Sequence, residues 1–487
     1  MSGPLLLGID EGTTAVKAAL FDTDLRAVAE SRRELGVSHP RPGWVEQDPE
    51  EILSAVVDAV AEVLEQAGGR EVLAAGLDHQ GESVLAWEAG GGRALSRVLV
   101  WQDKRQQQLL DAIGADAVAR SGLPLDPYFS AGKLAWLLAN DANVAAAREA
   151  GTLRLGTVDA FLCERLGGRF ATDLSTASRT QLLAVGGRDW DAQLLSSFGV
   201  RREWLAQIGP SFGALGALRH ERWPVELALC AQLVDQQAAL AGSGCVRAGE
   251  LKATYGTGVF VLGASAGESV PDGVLPTVAW AAPATDGTLG TVTHALDGGV
   301  FAAGSMLDWL AGGLGFAADA RSLAALAASV PDSAGVLVLP AIAGLGAPWW
   351  NAGAHGVIAG MHPGVCPAHV ARAALEAIAW RVADIVEAMA EVAPVRRLSV
   401  DGGLAADPTL LALQADALGL ELSAARVDST VLGAAMLAGV GAGLFSSVED
   451  AAERLPPART IAPSLDRGAR EQQRERWRRF VRVAREL

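Results

Sequence analysis

The chain has 487 residues, half of them apolar, and carries 40 Lys plus Arg against 56 Asp plus Glu, a formal net charge of −16. That length exceeds one hydrophobic core and predicts two or more domains, while the acidic balance excludes a general affinity for nucleic acid or anionic membranes. Cys163, Cys230, Cys245 and Cys366 are far apart and read as reduced, buried thiols; with no signal-peptide pattern and no uninterrupted apolar span, a cytoplasmic protein is expected.

Leu5 to Ile9 and Ala15 to Phe21 read as two buried strands joined by the polar turn Asp10-Glu11-Gly12-Thr13-Thr14. A strand ending in a carboxylate, followed by small residues with backbone N–H groups and hydroxyls, suits a metal ion and a phosphate tail. The same letters also make an ordinary hairpin turn. "LRAVAESRREL" predicts a third strand. Asp48 then caps a helix with Pro49 at its first position and Glu50 and Glu51 in its first turn. Ile52, Val56, Val60 and Val63 keep helical spacing until Gly68-Gly69. "VLAAGLD" is the next strand, with Asp78-His79-Gln80 at its C-terminal end, and "VLVWQDKR" repeats the grammar. Polar residues at strand ends are where α/β proteins hold ligands.

Residues 106 to 200 read as mostly helical. Asp235, in "LVDQQAALAG", stands between an apolar lead-in and a helical run, as a cap or as a base for an alcohol proton. A second α/β region starts near Gly249, where "LKATYGTGVFVLGASAG" places a Gly-Thr turn before an apolar strand. "VTHALDGG", a helix from about Val370 to Met389 and "RLSVDGG" continue it, and a charged helix packed through Trp477, Phe480 and Val481 ends the chain. The expected division is 1–245, 246–446 and 447–487: an N-terminal lobe, a C-terminal lobe, and a linker with a packed helix.

Three Gly-rich turns follow apolar strands, at Gly12-Thr13-Thr14, Gly256-Thr257-Gly258 and Gly402-Gly403. They favour a nucleotide, although none is a Walker motif or a dinucleotide fingerprint. Glu82, Trp101, Asp103 and Tyr128 add acceptors and flat aromatic faces that suit a small polyhydroxylated substrate.

With these motifs in order, the chain resembles the FGGY family of carbohydrate kinases over nearly its whole length. The glycerol-kinase branch is the most similar, with xylulokinase-like relatives. The segments that carry the resemblance are "GIDEGTTAVKAALFD", "WVEQDPEEI", "VLVWQDKR", "GLPLDPYFSAGKLAWLL", "LVDQQAALAG", "KATYGTG", "ALDGGVFAAGS", "PAIAGLGAPWW", "VDGGLAAD" and "STVLGAAMLAG". The resemblance implies an α/β fold of two actin-like (ribonuclease H-like) lobes with an interlobe cleft. It also implies transfer of the γ-phosphoryl group of ATP to a hydroxyl of a small polyol or ketose, with Mg²⁺ as cofactor.

Position by position, it implies that Asp10 organises the metal and that Asp235 is the catalytic base. Gln80, Glu82, Trp101, Tyr128, Asp235, Gln236 and Phe260 would contact the substrate. Gly12, Thr13, Thr14, Lys17, Thr257, Gly258, Gly304, Gly402, Gly403 and Asp407 would contact the nucleotide. A homodimer or homotetramer is compatible with it. The chain departs from the glycerol-kinase pattern in four places. His79-Gln80-Gly81-Glu82 replaces Asn-Gln-Arg-Glu, removing an arginine that donates to substrate hydroxyls. Glu11 replaces a glutamine and adds a negative charge near the phosphates. Asp407 replaces an asparagine, and Asp428 stands where a glutamate is common. The space at Gly81 predicts a substrate longer than glycerol, and a xylulose, ribulose or tetritol kinase is the alternative within the enzyme class. A non-catalytic actin-like ATP-binding protein would not need both Asp10 and Asp235, and a DNA regulator would not be this acidic.

Overall fold

The computed structural model describes residues 3–425 and 428–487. Its contacts fall into two units. One holds Met1–Val246, Pro276–Ala295 and Val427–Pro456; the other holds Arg247–Leu275, Leu296–Arg426 and Pro457–Leu487. The chain thus re-enters the first unit after the second has begun, where the sequence pointed to single divisions at 245 and 446. Backbone packing explains the return of the helix Ser429–Gly441. It lies so close to the first sheet that a Cβ on Gly8 would stand 2.1 Å from the Val431 carbonyl oxygen, and one on Gly76 would stand 2.1 Å from that of Ala434. Only glycine permits that approach.

In the first unit, six strands lie in the order Phe212–Leu218, Leu227–Val234, Val72–His79, Leu5–Glu11, Ala15–Phe21 and Ala27–Glu34. The three central ones are parallel, and hairpins flank them. Central burial makes them nearly continuous apolar runs. Their polar residues collect at the C-terminal ends, where register sets Asp10 against Asp78 and His79 against Val234, the residue before Asp235. The helix Pro49–Gln66 starts as expected: the Asp48 carboxylate accepts from the Glu50 N–H at 2.9 Å. Its buried face is Ile52, Val56, Val57, Val60, Val63 and Leu64.

The stretch 106–200 is less helical than its composition suggests. It contains the strands Leu153–Thr157 and Ala171–Asp173, and the first pairs antiparallel with Val84–Glu88. In the second unit, the strands Val259–Ala264, Glu250–Tyr255, Arg397–Asp401, Leu422–Ala424 and Arg459–Ile461 are consecutive neighbours. The long helix is Pro367–Met389, and the last one, Arg467–Ala484, docks on it. Trp477 Nε1 reaches both Asp384 carboxylate oxygens at 3.2 Å, and Arg474 donates to Asp384 at 2.6 Å. Trp477 and Val481 are buried there and Phe480 is half-buried. Cys163, Cys230 and Cys245 are buried, but Cys366 is exposed, with its Sγ 3.3 Å from His369 Nδ1. No helix among the described residues is long and apolar enough to cross a membrane.

Candidate active site

Adjacent parallel strands set Asp10 beside Asp78, and the strand next to them runs into Asp235. Asp10 ends its strand almost wholly buried; the Lys17 ammonium, on the neighbouring strand, is 3.6 Å from it and pairs also with Asp428. Lys17, expected at the nucleotide, is therefore engaged by two carboxylates. Asp78 lies in register with Asp10, has no exposure, and neither of its oxygens has a hydrogen-bond donor. Burial is the main cause that raises the Asp10 carboxyl to about 7 and Asp78 well above the carboxylate range. The charge of Asp235 adds to the rise at Asp10, Glu11, Asp78 and Glu82 alike. Asp235 is the first residue of the helix Asp235–Gly242, and its Oδ1 accepts the Gln236 N–H at 2.6 Å.

Glu11 lies at the end of the same strand as Asp10. It is completely buried, its Oε1 accepts from Gln80 Nε2 at 2.8 Å, and its Oε2 has no partner. Burial pushes its carboxyl well above the usual carboxylate range, and the Gln80 hydrogen bond opposes that rise.

Gln80 is the hub of a buried network. Its Nε2 donates to Glu11 and to Gln47 Oε1, both at 2.8 Å; its Oε1 accepts from Ser83 Oγ at 3.0 Å and Thr13 Oγ1 at 3.2 Å. The amide is fully used, so Gln80 arranges its neighbours. Trp101 Nε1 donates to the Thr13 hydroxyl at 3.0 Å and Gln47 Nε2 to the Thr13 carbonyl at 2.8 Å, so the expected phosphate turn is tied to the expected substrate aromatic. Trp101 in turn meets Tyr128 edge-on at 5.7 Å between ring centroids.

Asp103, read as a substrate acceptor, is instead structural. It is fully buried, and accepts from the Val45 N–H at 2.6 Å and from Arg105 Nε and Nη2 at 2.9 and 2.8 Å. Glu82 is buried in a left-handed conformation at φ 59°, and Arg179 Nε donates to its Oε1 at 2.7 Å. Sequence reasoning missed Arg179. It also missed Lys133, whose buried ammonium donates to the carbonyls of Pro127, Tyr128 and Phe129 at 2.8, 2.6 and 3.2 Å and so shapes the loop that carries Tyr128.

The second unit holds the other Gly-rich turns. Gly402 follows the strand Arg397–Asp401 at φ 89°, where a Cβ would stand 2.4 Å from the Tyr255 carbonyl oxygen. Gly403 beside it is exposed, as is Thr257. The Thr257 carbonyl accepts from the N–H groups of Ala303 and Ser305 at 3.0 and 3.1 Å, and the Gly304 N–H donates to the Gly256 carbonyl at 3.1 Å, so the Gly256-Thr257-Gly258 turn and Gly304 are tied to each other. Phe260 is half-buried on the strand that follows Gly258, 3.3 Å from the position of a Cβ on Gly299. Asp407 caps the helix Pro408–Leu418 by accepting from the Leu410 N–H at 2.7 Å.

Residues 5–242 match the N-terminal domain of the FGGY family of carbohydrate kinases, and residues 251–442 match its C-terminal domain. A glycerol kinase of Citrifermentans bemidjiense is 40% identical over 98% of both chains, and one of Geobacter sp. strain M21 is 41% identical over 98% of both. Among solved structures, Plasmodium falciparum glycerol kinase with ADP superposes with a TM-score of 0.90 at 26% identity, over 99% of this chain and 98% of that one. A xylulose-type sugar kinase of Brucella ovis superposes with a TM-score of 0.86 at 25% identity, over 98% of this chain and 99% of that one. The chain belongs to the FGGY family of carbohydrate kinases, with its two-domain actin-like α/β fold, and is an ATP-dependent phosphotransferase that is glycerol-kinase-like along its whole length.

Proposed function

We propose that this kinase phosphorylates a small polyol, glycerol first among them, with Mg²⁺ at the phosphates. The observation that carries the reading is that two adjacent parallel strands bring Asp10 and Asp78 into register while the third strand beside them runs directly into Asp235. Asp235 takes the proton of the attacking hydroxyl, and Glu82 accepts from the other hydroxyls. Tyr128 and Trp101 confine the carbon chain, and Gln236 and Phe260 are assigned to the same ligand. Gly12, Thr13 and Thr14, with Lys17 beside them, are assigned to the phosphates. Thr257, Gly258, Gly304, Gly402, Gly403 and Asp407 are assigned to the rest of the nucleotide.

Mg²⁺ fits the residues present. Asp78 offers buried carboxylate oxygens with no donor, next to Asp10. When bound, the cation would neutralise phosphate charge. Asp10 would hold it, with Asp78 alongside. Dependence on ATP and three buried thiols support a cytoplasmic enzyme.

The longer-substrate expectation loses its physical basis at Gly81. A Cβ there would stand 2.9 Å from Val234 Cγ1, so that direction is filled by protein. Assay of C3 to C6 polyols and ketoses with ATP, with the phosphorylated product detected, tests the reading. Glycerol should give the highest kcat/KM. A pentulose or tetritol ahead of glycerol would favour the xylulokinase-like alternative, and no product from any of them would overturn the kinase assignment.

A further inference from the structure

Position 81 supplies no side chain, and a guanidinium meets its neighbour Glu82 from elsewhere in the chain. Arg179 follows the short helix Leu174–Ser178 as its C-terminal cap. Its Nε donates to Glu82 Oε1, and both side chains are about nine-tenths or more buried, at 6% and 5% exposure. The guanidinium carbon lies 5.7 Å from the Tyr128 ring centroid and 5.5 Å from that of Phe129, within the range of a cation–π contact.

Arg179 is held in place from both ends of its segment. His79 Nε2 lies 2.9 Å from Thr176 Oγ1, and its Nδ1 lies 3.0 Å from the Gln80 carbonyl, so the histidine links that helix to the turn that carries Glu82. The Asp173 carboxylate caps the helix through the Ser175 and Thr176 N–H groups at 2.9 and 2.8 Å. The Ala131 N–H donates to the Thr180 carbonyl at 2.9 Å, one residue beyond Arg179. Glu82 itself sits at φ 59°, an unfavourable backbone state for a residue with a Cβ. Such strain persists where surrounding bonds over-determine it: Ser130 Oγ donates to the Glu82 carbonyl at 3.3 Å, and Ser83 Oγ ties the turn to Gln80 and accepts the Trp101 N–H, each at 3.0 Å.

We propose that Arg179 is the positioning residue for polyol recognition, aiming the Glu82 carboxylate at the substrate by engaging Oε1 while Oε2 accepts a substrate hydroxyl, a task for which position 81 has no donor. This rests on the polyol kinase reading. The chemistry favours Arg over Lys, because a planar guanidinium can bond the carboxylate and lie against aromatic rings at once. It also favours the anionic form of Glu82. Burial raises that carboxyl, and Arg179 is the largest opposing cause. The other charged groups acting on it are Asp235, which raises it further, and Lys133, which lowers it. An ionised carboxylate is a pure acceptor for hydroxyl donors, whereas the neutral acid would offer a competing O–H.

The test compares wild type with Arg179→Gln, Arg179→Lys and Glu82→Gln, singly and as the R179Q/E82Q double variant. Readouts are KM for glycerol and for ATP, the pH profile of kcat/KM for glycerol, and quenching of tryptophan fluorescence by glycerol without ATP. R179Q should raise KM for glycerol by about ten- to a hundredfold, weaken the fluorescence titration in parallel, and change KM for ATP less than about threefold. The acidic limb of its pH profile should move to higher pH, because Glu82 has lost its cation. R179K should recover part of the loss, and R179Q should add little in the E82Q background. If R179Q misfolds, R179K and E82Q still carry the comparison. An active wild type whose R179Q and R179K variants keep its KM for glycerol and its pH limb would overturn this proposal alone. A wild type that neither binds nor phosphorylates any polyol would overturn the polyol reading and the proposal together.

Discussion

Asp10 and Asp78 are register partners on adjacent parallel strands, and the Asp78 carboxylate has no hydrogen-bond donor at either oxygen. Burial holds the Asp78 carboxyl well above the carboxylate range, so folding works against its ionised form. The isosteric amide cannot ionise, so it escapes that cost, and it offers Asp10 an N–H to accept. Asp78→Asn should therefore stabilise the metal-free protein by about 1–3 kcal/mol, seen as a higher urea midpoint at unchanged slope. A loss of stability would mean that Asp78 has a favourable partner in the folded state. Functional sites hold such costly groups because stability and activity trade against each other.

Gly76 tests the return of the chain to the first unit. Its would-be Cβ meets backbone, the Ala434 carbonyl oxygen at 2.1 Å, with the carbonyl carbon at 2.5 Å. Backbone cannot rotate aside as a side chain can, so overpacking has to be relieved by moving a helix. Gly76→Ala should cost about 2–4 kcal/mol, above the usual overpacking range of about 1–3 kcal/mol at its upper end. Gly91, where a Cβ would meet nothing within 4 Å, is the control, and its alanine variant should melt like wild type. Equal melting temperatures for G76A and G91A would mean that the helix Ser429–Gly441 does not pack so closely.

Much of this site could be read from the letters because the fold writes it in local grammar. Apolar runs ending in Asp10, Asp78 and Asp235 are adjacent parallel strands or follow one, so a strand-end carboxylate in sequence is a site carboxylate in space. Asp48 before Pro49 is a helix start by local chemistry alone. What stayed hidden depends on long-range pairing. Arg179 acquires its meaning from Glu82, 97 residues away, and no spacing rule connects them. Leu153–Thr157 alternates buried and half-buried residues among helices, and its strand state comes from pairing with Val84–Glu88. Asp103 misled for the opposite reason, since a carboxylate two residues from Arg105 is satisfied locally and has nothing left for a ligand.

Lys133 supplies a pH-dependent test. Burial pushes its ammonium down to about 7 from 10.5, against the attraction of Glu82, Asp103 and Asp126. Between those two values the unfolded chain binds more protons at this residue than the folded one does. Linkage then makes its contribution to unfolding free energy rise with pH from about 7 to 10.5 and stay flat below 7. Lys133→Met lacks that term and leaves the Pro127–Phe129 carbonyls without their donor. The stability gap between wild type and K133M, measured by urea denaturation, should widen from pH 7 to 10 and be constant from pH 5.5 to 6.5. A gap that is constant throughout would show that Lys133 keeps its proton in the folded protein.

The last prediction concerns Asp235, on which the chemistry depends. It opens the helix Asp235–Gly242, directly after a buried strand whose last residues, Leu233 and Val234, pair with Asp78 and His79. A carboxylate there serves as general base if the attacking hydroxyl lies within hydrogen-bond reach, and geometry weighs more than pKa in phosphoryl transfer. Asp235→Asn keeps the shape and a carbonyl acceptor but cannot take a proton. Turnover should fall by about 10²–10⁴-fold, the usual contribution of a positioned acid or base. KM for ATP should change little, because the nucleotide assignments lie on other residues. Asp235→Glu keeps the carboxylate and moves it by one methylene, so it should retain more activity than D235N. Because Asp235 also raises the Glu82 carboxyl, D235N should shift the acidic limb of kcat/KM for glycerol to lower pH in whatever turnover remains. A folded D235N enzyme with near-normal kcat would remove Asp235 from the mechanism and require another acceptor for the hydroxyl proton.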